Sequence, residues 1–179
     1  MVWEREISDG GEVLHPVILA HGGAIWYAWS EYARENWRIL ARCYRDGQWG
    51  EVLTVASGEA LFFPRLFTWQ GKLHVIWTEQ HKGSAAAVLC PLTEAGPGAA
   101  ETVSAVGEAY RAGAAEGGDG NLYVAYDGFD GKQYKLFARA RTAAGWSGEI
   151  VVSQGEDWAS TPWIACLLYT SPSPRDTER

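Results

Sequence analysis

The chain has 179 residues, 47% hydrophobic and 21% charged, which suits a globular fold and excludes a disordered or collagen-like one. A net charge of −7 lacks the basic footprint of a nucleic-acid binder, and no run approaches the roughly 18 apolar residues of a membrane-spanning helix. Ten Trp, 8 Tyr and 21 Gly beside a single Met point to short strands joined by tight turns.

Residues 1–8 carry no apolar signal-peptide core. The stretch from Trp3 to Leu14 reads as the last strand of a preceding unit, because Trp3-Glu4 echoes Trp49-Gly50-Glu51. Four strands are then predicted near 17–20, 24–29, 38–44 and 52–55. Turns are predicted at His21-Gly22-Gly23, across 30–36, and at Asp46-Gly47-Gln48. The second of these strands is apolar on both alternating faces: Ile25, Tyr27 and Trp29 on one, Trp26 and Ala28 on the other. That pattern predicts burial on both sides.

The same unit recurs. Ile25-Trp26-Tyr27-Ala28-Trp29 aligns with Leu122-Tyr123-Val124-Ala125-Tyr126, and a middle copy runs through Leu73-His74-Val75-Ile76-Trp77. Pro16, Pro64 and Pro162 open units, with Arg111 taken to stand for the proline in the third. Four strands in about 48 residues is the period of a propeller blade. The predicted fold is therefore all-β, an incomplete β-propeller of about three four-stranded antiparallel blades. The blades are placed at 16–63, 64–110 and 111–161, with partial blades at 1–15 and 162–165. Trp29, Trp77 and Tyr126 are expected to fill the gaps between blades. Unpaired blade faces are expected to make the chain associate when expressed alone.

From Cys166 to Asp176 the chain resembles the translation of a sequencing adapter, so 166–179 is expected to be a non-native tail and 1–165 the propeller part. Without the tail, two of the three cysteines remain. Cys43 and Cys90 fall in third strands and are expected to act as small buried hydrophobes.

Strand alternation places the bends at 30–36, 78–86 and 127–133 on one end with the inter-unit connections 56–63, 104–110 and 153–161. Candidate binding residues on that end are Glu31, Glu79 and Asp127 as polar groups, with Trp37, Tyr134 and Trp158 as stacking platforms. Carboxylates near an axis can hold sugar hydroxyls or a cation; Ser, Thr and Asp at such places also serve turn hydrogen bonds. Trp158 is expected to pack against the next blade. Arg65 and Arg111, at related places in consecutive units, read as a solvated ring. No His/Cys ligand spacing, nucleophile elbow, phosphate loop or dinucleotide fingerprint is present, so no catalytic residue, metal or cofactor is assigned.

The recurring Pro, strand, Gly-containing turn, apolar run ending in Trp or Tyr, second apolar run and Gly-x-Trp resembles the sialidase-like, BNR-type β-propeller repeats of bacterial surface proteins. The resemblance implies a ligand-binding or scaffold module, possible partners being carbohydrate or another domain of the same polypeptide, in a larger exported and hence extracytoplasmic protein. Two alternatives share the pattern: a sialidase-like glycoside hydrolase, and a fucose-lectin-type propeller. The complete Asp-box turn and the arginine cluster of sialidases are not evident: Arg45-Asp46-Gly47-Gln48-Trp49 keeps only Gly-x-Trp.

Overall fold

The computed structural model describes residues 8, 11–105, 107–154 and 158–165. The expectations for Trp3 and for the tail from Cys166 lie outside them. The described chain folds into three antiparallel sheets. The first holds β1 (Glu12–His21), β2 (Ala24–Ala33), β3 (Asn36–Arg45), β4 (Gln48–Trp49) and β5 (Leu53–Gly58). The second holds β6 (Ala60–Trp69), β7 (Lys72–His81), β8 (Ser84–Thr93), β9 (Gly96–Pro97) and β10 (Glu101–Thr102). The third holds β11 (Ala109–Glu116), β12 (Leu122–Phe129), β13 (Tyr134–Thr142), β14 (Gly145–Trp146) and β15 (Ile150–Val151).

Each sheet has four strand positions, because its last two short pieces share one edge. β4 and β5 both pair with β3, at opposite ends of it. A single backbone bond bridges the break in each sheet: Gly50, Gly98 and Ser147 donate to the carbonyls of Cys43, Pro91 and Ala140 at 2.9, 2.8 and 2.8 Å. These are three four-stranded antiparallel blades of a β-propeller, as the repeat predicts. Among the described residues no helix is long and apolar enough to cross a membrane.

Strands run longer than predicted, and the reason is turn chemistry. The bend expected across 30–36 contracts to Arg34-Glu35, both in the left-handed region with φ of 53° and 63°. Hairpin turns that match strand twist need positive φ at both central residues, which Gly or Asn usually signals. Arg-Glu carries no such signal. Cross-strand pairs hold the extension: Glu31 opposite Arg38, and Tyr32 opposite Trp37 with ring centroids 5.3 Å apart. Ser30 and Glu31 are therefore ladder residues.

The core lies between blades. One cluster joins Trp26, Ala28 and Ile39 of the first blade to Leu61, Val75 and Trp77 of the second. A second cluster joins Ile76, Ala87 and Leu89 to Leu122, Val124 and Tyr126 of the third. Trp29, Trp77 and Tyr126 are fully buried, so the repeating aromatic is a packing residue. At about 25 cal/mol per Å² of apolar surface removed from water, each contributes a few kcal/mol. Residues 73–78 of β7 are buried on both faces, whereas Ile25 on β2 and Tyr123 on β12 stay 37% and 39% exposed on the outward faces of the outer blades. Cys43 and Cys90 are buried free thiols, and burial pushes the Cys90 thiol up to about 11.

The first strand of each blade carries a bulge. Register slips between Leu14 and Val17, between Phe62 and Arg65, and between Tyr110 and Gly113. His15, Phe63, Arg111 and Thr161 all have left-handed φ, between 47° and 59°, at intervals of 48, 48 and 50 residues. Ala112, not Arg111, thus occupies the position of Pro16, Pro64 and Pro162. Arg111 belongs with the residue before each proline. Arg65 sits two residues further on in its blade, so Arg65 and Arg111 do not form one ring.

Candidate functional site

In the second and third blades the bulge that opens the next unit explains the polar residue that follows the buried aromatic. It turns one backbone N–H of the first strand away from its ladder, and the preceding blade accepts it. Arg111 N–H donates to Thr78 Oγ1 at 3.1 Å, and Thr161 N–H donates to Asp127 Oδ1 at 3.2 Å. Ser30, Thr78 and Asp127 share this place within the second strand, and all three are fully buried, Ser30 Oγ without a hydrogen-bond partner. In the second and third blades the position latches one blade to the next.

Asp127 also receives the guanidinium of Arg111, Nε on Oδ1 at 2.9 Å and Nη2 on Oδ2. The carboxylate raises the Arg111 pKa, mainly through that hydrogen bond. Glu31, buried on β2, is held by Arg38 Nη2 on one oxygen and by the Trp29 indole N–H at 3.4 Å on the other. Glu31 and Asp127 do not share a ring: Asp127 matches Ser30 and Thr78, while Gly128 matches Glu31 and Glu79. Adjacent strand residues point to opposite faces, so the two carboxylates face opposite sides of their blades. Glu79 is partly exposed on β7.

The aromatic candidates separate into two groups. Trp37 is half-buried between Tyr32 and Phe62, with ring centroids at 5.3 and 4.7 Å, and serves as packing between the first two blades. Tyr134 lies against Phe129 and Trp158 at 5.5 Å each and faces Tyr110 at 6.2 Å. Trp158 is 74% exposed, and the described residues include no further blade against which it could pack. Its segment is tied to β13 by Ala159 N–H donating to the Tyr134 carbonyl at 3.1 Å. Burial, with the Tyr110 hydroxyl and Glu108 adding to it, raises the Tyr134 pKa, and Tyr110 stands opposite Asp127 in the ladder. Tyr134, Trp158 and Asp127 therefore come together on the bend end of the third blade, with Arg111 and Tyr110.

Sequence reasoning missed His15, Phe63 and Tyr110 near the axis and read Arg111 as part of a solvated ring. His15 meets Phe63 at 4.2 Å between centroids, and Arg111 stands 6.0 Å above the Phe63 ring. Tyr110 accepts a hydrogen bond from Gln80 Nε2 at 3.3 Å. The available signal was position: of the four bulge residues, His15, Phe63 and Thr161 precede a proline.

No protein-family profile and no curated protein sequence matches the chain. Among solved structures it is similar to the crystal structure of an alpha-L-arabinofuranosidase from Lactobacillus brevis, with a TM-score of 0.53 and 9% identity. The match covers 75% of this chain and 53% of that one, so the chain spans about half the length of this neighbour. At such identity the likeness concerns the fold. It agrees with the propeller reading and gives the sialidase-like part of the resemblance no support.

Proposed function

We propose that the chain is a propeller module that binds carbohydrate without hydrolysing it, at the bend end of the third blade. The exposed Trp158 ring, backed by Tyr134, carries this reading. A large aromatic face held out of the core by a second ring is a surface on which the apolar face of a sugar can stack. Arg111, about a third exposed beside it, offers donors to hydroxyls. Two of the three candidate carboxylates argue against hydrolysis within these blades, Glu79 being partly exposed. A general acid or base must reach the substrate oxygen, whereas Glu31 and Asp127 are fully buried and neutralised by Arg38 and Arg111. An exported, extracytoplasmic parent protein belongs to the same proposal, on the strength of the repeat pattern.

Glycoside hydrolysis is the second reading, favoured by the activity of the arabinofuranosidase neighbour. Its catalytic groups would then come from outside these three blades. Both readings are tested by a glycan array that includes arabinose-containing and fucosylated oligosaccharides, followed by a hydrolysis assay on nitrophenyl arabinofuranoside. Saturable binding without product release supports the binding module. Product release overturns it for the second reading, and absence of binding to every glycan overturns it outright.

A further inference from the structure

The second blade carries a cavity of about 440 Å³ on one face of its outer strands. Glu79 of β7, Ala86 and Val88 of β8, and Ala100 and Thr102 at the β10 edge line it. Val88 and Trp77, two residues before Glu79, pack toward the first blade, so the cavity opens on that side. Its volume lies within the roughly 300–1,000 Å³ of small-molecule sites.

The first blade shows what occupies this place when it is filled. Glu31 and Arg38 stand directly opposite each other in the ladder of β2 and β3, and Arg38 Nη2 donates to Glu31 Oε1. One repeat further on, Glu79 stands opposite Ala86. Directly opposed residues share a face, so the second blade keeps the carboxylate and leaves open the space of its cation. The third blade omits the carboxylate instead, with Gly128 opposite Lys135, so a carboxylate here is not a requirement of the blade.

Among the described residues, no hydrogen bond or ion pair engages the Glu79 carboxylate. Glu79 is partly exposed, and its unpartnered oxygens retain surface in the cavity, unlike the buried unpartnered atoms elsewhere in the chain. The other polar groups of the rim are tied down. His81 Nδ1 lies 3.1 Å from Glu59 Oε2, and Ser84 Oγ donates to the Gly107 carbonyl at 2.6 Å. Arg111 and Asp127 show how a guanidinium edge meets a carboxylate in this fold, Nε on one oxygen and Nη2 on the other.

We propose that this cavity binds a small alkylguanidinium cation, whose paired N–H groups seat on the Glu79 carboxylate. A planar guanidinium matches both carboxylate oxygens in a way that a point charge cannot. The alkyl stem of the ligand lies over Ala86, Val88 and Ala100, as the stem of an arginine covers apolar surface. The site belongs to the second blade and does not rest on the carbohydrate reading of the third.

The test titrates the full chain with butylguanidinium chloride at constant ionic strength, following the methyl signals of Ala86, Val88 and Ala100 by NMR. Butylurea, neutral and similar in shape, and tetramethylammonium, a cation without N–H groups, are parallel probes. Saturable shifts of these methyl signals by butylguanidinium are expected, with both other probes at least about tenfold weaker. Glu79→Gln should weaken binding at least about tenfold. Ala86→Arg supplies the missing cation from within the chain and should abolish binding. The unsubstituted chain with the three probes tests the site even if a variant fails to fold. No saturable shift, equal binding by butylurea or by Glu79→Gln, or undiminished binding by folded Ala86→Arg would overturn the site. Tetramethylammonium binding as tight as butylguanidinium would overturn its guanidinium selectivity.

Discussion

The guanidinium of Arg111 lies side-on to the carboxylate of Asp127, with Nε donating to Oδ1 at 2.9 Å and Nη2 to Oδ2. The same Oδ1 accepts the N–H of Thr161 at 3.2 Å. One buried carboxylate therefore ties together the first two strands of the third blade and the segment beyond it. In the second blade Thr78 does the corresponding work with a single hydroxyl.

Removing that carboxylate should be costly in a graded way. Breaking a buried pair from one side costs about 3–5 kcal/mol when both groups are buried. Arg111 is 32% exposed, so solvent offsets part of the loss, and about 2–3 kcal/mol is expected for Asp127→Ala. Asp127→Asn keeps an acceptor for Thr161 and should lose less. Urea denaturation with an unchanged m-value checks the order of the two variants.

Acid should weaken the fold through the buried imidazole of His74 and the partly buried one of His15. His74 is buried with its Nδ1 3.0 Å from the Lys72 carbonyl, and its ring stacks on Phe67 at 5.3 Å. Burial lowers its pKa, and His15 shifts the same way for the same reason. The unfolded chain then takes up protons near pH 6.5 while the folded chain does not, so stability falls as pH drops below that value. Urea midpoints should decline between pH 7 and pH 5, and His74→Phe should flatten the decline. An unchanged slope in that variant would remove His74 from the account.

The break in the outer strand sets a steric limit. A Cβ on Gly98 would lie 2.6 Å from Cγ of Pro91, a ring atom that cannot swing aside. Gly98→Ala should cost about 1–3 kcal/mol as an overpacked site. Gly148 has open space around it, and Gly148→Ala should be neutral or stabilise by about 0.4–1 kcal/mol. Paired thermal melts of the two variants test the difference.

The blade repeat was legible because its cause is local: Trp29, Trp77 and Tyr126 recur at one position of the second strand, and Gly22-Gly23 and Asp46-Gly47 sit where hairpins need positive φ. Strand length was not legible, since Arg34-Glu35 adopts a left-handed turn without a turn residue. The bulge escaped for a related reason. Three prolines mark it, but Ala112 fills that place in the third blade and leaves Arg111 to be misread by one position. Of the site, Tyr134, Trp158 and Asp127 were legible as residue types on one end. That Glu31 is neutralised by Arg38 depends on strands continuing past the predicted bend.

The outward blade faces should drive association. Ile150 is 62% exposed on the outer edge of the third sheet, with Val151 and Val152 beside it, and such edges pair readily with other chains. Ile150→Lys combined with Val152→Lys should raise the monomer fraction in sedimentation velocity. Its effect on stability should stay within about 0.5 kcal/mol per substitution.

Affinity electrophoresis through gels containing soluble polysaccharides, with Trp158→Ala and Trp163→Ala run beside the unsubstituted chain, tests the proposed carbohydrate site most directly. Retardation by at least one polysaccharide, abolished by Trp158→Ala and retained by Trp163→Ala, is the predicted result. No retardation by any polysaccharide, or full retardation of Trp158→Ala, would contradict it.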